Sequence, residues 1–145
     1  GNRSCSLTAE REGTVSMTAD NQYLTSTGNY GTPAELSYVT NGNNSDRFLI
    51  KSTDSVVLFG NGNDNQIAKG QFQHATVDLY FDGSNLPMQV WQNRNAVPLT
   101  NQRGHQISGS GNLDVDVRTN GHRNQNGEVQ FGSYIVKTTV VCVVQ

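Results

Sequence analysis

Three histidines, His74, His105 and His122, are the side chains best suited to hold a metal ion in this chain of 145 residues. None stands at ligand spacing from another. A zinc site would have to be assembled in space from the three imidazoles, with Asp or water completing the tetrahedron. Two of them fall in loop-like sequence, where a solvated imidazole is the simpler reading. Residues 60–65, GNGNDN, offer the oxygen donors calcium prefers, yet they lack the regular acidic spacing and terminal Glu of an EF-hand loop. Turn chemistry accounts for them. Asp114 and Asp116 share one face of a strand whose other face is valine. Such a pair can do acid–base work, but its usual role is a solvated outer face. No Gly-x-Ser-x-Gly elbow is present, and Gly60-Asn61-Gly62 has neither the third glycine nor the following helix of a phosphate loop. These features argue against an enzyme: no catalytic residue and no cofactor is expected, and a metal-dependent enzyme built on the histidines is the outlying alternative.

One constellation points to binding. Trp91 is flanked by Gln89, Gln92, Asn93 and Arg94. An aromatic face bordered by planar amides and a guanidinium suits a sugar, whose apolar face stacks while its hydroxyls take hydrogen bonds. The competing reading is a tryptophan packed into the core from a sandwich strand.

The elements that would position these residues are all strands. Only 34% of the residues are hydrophobic and 15% charged, with Asn, Gln, Ser, Thr and 15 glycines making up the difference, so turn-rich β structure fits better than disorder or helix. The length predicts one domain over residues 1–145. The net charge of −2 and scattered basic residues give no footprint for nucleic acid. No apolar run is long enough to span a bilayer, and the first residues, GNRSC, are not those of a signal segment.

Period-two alternation places strands at residues 3–9, 14–19 (hairpinned to the first), 75–82, 87–92 and 113–118, with shorter ones near 23–26 and 106–108. Residues 34–40 read as an edge strand. Residues 47–52 and 55–59 read as separate strands, the second buried on both sides. About nine short strands separated by Gly/Asn turns indicate an all-β sandwich, Ig-like or jelly-roll.

The longest β-forming run is residues 133–145, SYIVKTTVVCVVQ. Its drier face carries Tyr134, Val136, Thr138, Val140, Cys142 and Val144. In the first strand Cys5, Leu7 and Ala9 are the apolar set. Both cysteines therefore face inward, and a Cys5–Cys142 bridge would join first strand to last, worth roughly 4 to 5 kcal/mol in the chain-entropy model. A bridge favours an oxidising compartment; two buried unpaired thiols are the alternative.

The single bridge, the Asn/Thr/Gly-rich strands and the ending SYIVKTTVVCVVQ after Gly132 resemble the subunits of bacterial chaperone-usher fimbriae, and the ending is similar to that of invasin-type tip subunits. Cys5 lies closer to the N-terminus than the first cysteine of typical pilins. The resemblance implies an Ig-like sandwich lacking its seventh strand, completed first by a periplasmic chaperone and then by the N-terminal extension of a neighbouring subunit. It further implies an exported cell-surface adhesion subunit that meets a host receptor such as a glycan. Because no alternating extension precedes Cys5, the chain is expected to receive a donor strand rather than give one. The competing function is a free-standing secreted carbohydrate-binding sandwich using Trp91.

Overall fold

The computed structural model describes residues 2–60, 66–67, 75–82, 84–91 and 104–145. The clearest alternation in the sequence gives the best-buried strands. In β7, Thr76–Phe81, the side chains of Val77, Leu79 and Phe81 have no exposure while Thr76, Asp78 and Tyr80 face outward. In β10, Ser110–Thr119, Leu113 and Val115 are buried between an exposed Asn112 and Asp114. One side of each strand thus seals a core and the other meets water, which is what a period of two dictates for a half-buried sheet.

Two antiparallel sheets form the sandwich. The first runs β1 (Ser4–Arg11), β4 (Ala34–Asn41), β10, with β7 and β8 (Ser84–Trp91) continuing it and the short β3 (Leu24–Thr25) and β2 (Ser16–Met17) beside β10. The second runs β11 (Ser133–Val144), β5 (Phe48–Gly60), with β6 (Gln66–Ile67) and β9 (His105–Ile107) on the far side of β5. In the seven-stranded immunoglobulin arrangement one sheet is ABED and the other CFG. Here β1, β4, β10 and β7 take the A, B, E and D places, and β5 and β11 take C and F. Among the described residues no strand lies beyond β11 in the seventh place. Tyr134, at the start of β11, donates its hydroxyl to the Gln130 carbonyl at 2.7 Å, the back-bond that Ig-type sandwiches make at the corner entering strand F.

The expected bridge is present: Cys5 and Cys142 are joined with Cα atoms 6.0 Å apart, linking the first strand to the last across the two sheets. The facing of the final strand is also as read, for Tyr134, Val136, Val140, Cys142 and Val144 pack against the core.

Several expectations are corrected. Residues 47–52 and 55–59 are not two strands but one, β5, broken in register by a bulge: Ser52 pairs with Val140 and Asp54 with Thr139, so Thr53 is the extra residue. A bulge flips parity, so Phe48, Ile50 and Ser52 face the core before it and Ser55, Val57 and Phe59 after it. This switch of parity is what reads as an interruption in the sequence. Two-sided burial, expected at residues 55–59, is found instead at 48–52, where Leu49 and Lys51 are 3% and 2% exposed. The strand at residues 34–40 is not an edge but lies between β1 and β10, its Ala34, Leu36 and Tyr38 packed inward. Residues 14–19 shrink to β2, which pairs with β3 and not with β1.

Candidate functional site

The two described histidines, His105 and His122, stack on different rings of the core. His105, a strand residue of β9 rather than a loop residue, stacks on Phe81 with ring centroids 5.4 Å apart. His122 stacks on Phe59 at 4.8 Å, on another part of the core. His74 falls outside the described residues, and among those described no three His, Cys, Asp or Glu side chains gather as a metal site. Burial lowers the pKa of the His105 ring, with Asp82 opposing that shift weakly. Burial also pushes the Tyr134 hydroxyl up to about 12, against a smaller opposing effect of its hydrogen bond to the His122 backbone, so it serves as a neutral donor tying the preceding loop to β11.

The expected sugar-binding group is only partly within the described chain. Trp91 and Gln89 contribute backbone to β8, where Trp91 pairs with Thr76. Their side chains, together with Gln92, Asn93 and Arg94, lie outside the described residues, as does the cluster at 61–65. Asp114 and Asp116 do sit on the outer face, where Asp116 accepts from Ser26 Oγ at 2.5 Å and Asp114 lies 3.8 Å from the Arg11 guanidinium. Close by, Arg118 pairs with Asp78 at 3.1 Å and lies 4.6 Å from the centre of the Tyr23 ring. No sequence motif pointed to that cluster. Its members come from strands and loops far apart in the chain.

The feature with the most capacity for recognition is the seam between the first and last strands. Among the described residues β1 pairs only with β4 and β11 only with β5, so each presents an open edge of backbone N–H and C=O groups. The bridge closes one end of this seam. Along it Cys5, Leu7, Val136, Val140 and Cys142 are alike half-buried, and Ala9, inward by parity and paired with the inward Leu36, is exposed. At the far end a cavity of about 240 Å³ opens between Val15, Met17 and Leu24 on one side and Phe131 and Tyr134 on the other. Phe131 is 78% exposed at its mouth. Gly132 beside it is sterically required, because a Cβ there would press on the Phe59 ring and approach the Gly60 carbonyl oxygen to 2.8 Å.

A strand paired on one side offers backbone donors and acceptors at the spacing of another extended backbone. Sequence reasoning found both rims, because the parity of Cys5, Leu7, Val136 and Val140 was legible. It missed the mouth at Phe131, since an aromatic in a loop carries no periodic signal. Among the described residues no helix is long and apolar enough to cross a membrane. No protein-family model, curated protein or solved structure matches the chain.

Proposed function

We propose that this chain is an exported adhesion or fimbrial subunit, without catalytic activity, that is completed by an extended strand from another chain laid along the β1–β11 seam. The observation that carries the reading is the open edge of β11, 12 residues long and rich in β-branched side chains, beside an inward-facing but exposed Ala9. An edge of this length and composition, with Lys137 as its one charge, has little of the protection natural proteins give to edges that stay bare. On this reading a periplasmic chaperone covers the edge first and a neighbouring subunit later, and the bridge suits an oxidising compartment on that route. Contact with a host receptor would then fall to surfaces away from the seam.

The test is the size and thermal stability of the isolated chain with and without a soluble peptide of alternating valine and threonine. Self-association or a low melting point alone, with a rise of several degrees on adding the peptide, is the expected result. A stable monomer indifferent to every such peptide would show the fold to be complete and remove the reading.

A further inference from the structure

Resting on that reading, we infer that the Cys5–Cys142 bridge is a physical stop that fixes how much of a partner strand the seam accepts. Neighbouring strands lie about 4.8 Å apart, so a third strand running between two others holds them about 9.6 Å apart. At the bridge the two strands are only 6.0 Å apart, Cα to Cα. No backbone passes there. Beyond the bridge β11 continues to Val144, and Gln145 and Arg47 exchange both backbone hydrogen bonds at 2.7 and 3.0 Å, so that end is fastened to β5 as well.

On β1 the exposure rises away from the bridge. Cys5 and Leu7 are half-buried and Ala9 is exposed, while on the facing strand the half-buried inward set runs from Cys142 back to Tyr134, where the cavity opens. The seam is therefore a blind slot, open at Phe131 and closed at Cys142. Its usable rim is residues 134–141, about eight residues or roughly 27 Å of strand. A partner strand is selected by length as well as by alternation: its inward side chains answer Tyr134, Val136, Thr138 and Val140, and anything longer must turn out of the slot at the bridge.

The experiment is a series of alternating valine–threonine peptides of five to twelve residues, each with a terminal lysine pair for solubility, titrated against the oxidised chain and against the Cys5→Ser/Cys142→Ser double variant. In the oxidised chain affinity should rise about fivefold for each added inward valine up to about eight residues and then level off. In the double variant the levelling point should move to about eleven residues. If the variant does not fold by itself, it is refolded with the peptide present. Amide exchange on the oxidised chain gives a second readout: with the twelve-residue peptide bound, edge-facing β11 amides between Tyr134 and Val140 should slow while that of Val144, which points away from β5, does not. Affinity that keeps climbing past eight residues in the oxidised chain, a levelling point that the serine substitutions leave in place, or slowed exchange at Val144 would each overturn the stop while leaving strand addition intact. Failure of every peptide to bind would instead overturn strand addition, and the stop with it.

Discussion

The two flanks of the sandwich are built from similar residues and end in different states. Where β5 faces β7, Ile50, Val57, Val77, Leu79 and Phe81 have no exposure at all. Where β11 faces β1, the inward residues Val136, Val140, Cys142, Cys5 and Leu7 are only half-buried. Side-chain type does not explain the difference, since valine is common to both. Neighbours do: β5 is paired on both sides and β7 is paired with β10 and β8, whereas β1 and β11 are each paired on one side among the described residues. Burial in a sandwich depends on the strand next door as much as on the residue itself.

The largest effects should separate the flanks by truncation. Phe81→Ala on the sealed flank is expected to cost about 3–5 kcal/mol, because a ring with no exposure leaves a cavity behind. Val136→Ala in the seam should cost about 1 kcal/mol, since that side chain already partly meets water. Urea unfolding midpoints at equal m-value measure both. Equal costs would mean that the seam is as well filled as the core, and the contrast would collapse.

A medium effect probes the one tight place in the seam. Gly132→Ala drives a methyl group against Phe59 and the Gly60 carbonyl, an overpacking expected to cost about 1–3 kcal/mol in the same assay. If it is neutral, β11 can shift at its start, and the cavity mouth at Phe131 is not a fixed feature.

The smallest effect tests the sealed flank by titration. Burial favours the neutral His105 ring, so on acidification the unfolded chain takes up its proton first. The contribution is fully present above the ordinary value of 6.5 and is lost as the pH falls from there through the lowered folded-state value. Melting points followed from pH 7.5 to about 5 should fall with a slope that His105→Gln removes. A slope unchanged in that variant would mean that the ring is not shielded where it stacks on Phe81.

Much of this architecture was readable from parity. Cys5 and Cys142 both lie on the apolar set of an alternating strand, which is enough to place them inside and make a bridge between them the favoured reading, and Val77, Leu79 and Phe81 declare β7 in the same way. Parity fails where the backbone adds a residue. The bulge at Thr53 turns β5 into two apparent strands, because the inward set moves from even to odd positions within one continuous element. It fails again at β4, whose inward residues are a small Ala34, a Leu36 and a Tyr38 with a polar tip, a set too mixed to reveal a strand flanked on both sides. The seam was half legible for the same reason. Its rims are periodic, but its openness belongs to strand order, which depends on strand pairings between residues 73 to 96 positions apart and on a bridge across 137.

The bridge has a mechanical consequence. Cys5 and Cys142 are 137 positions apart in the chain and joined covalently, with every strand but the first residue of β1 and the last two of β11 enclosed between them. Tension that enters upstream of Cys5 and leaves downstream of Cys142 runs through the sulfur–sulfur link and bypasses the sheets. Pulled along that line, the oxidised domain should behave as a short inextensible tie, keeping its shape under loads that would peel β11 from β5 in an unbridged sandwich.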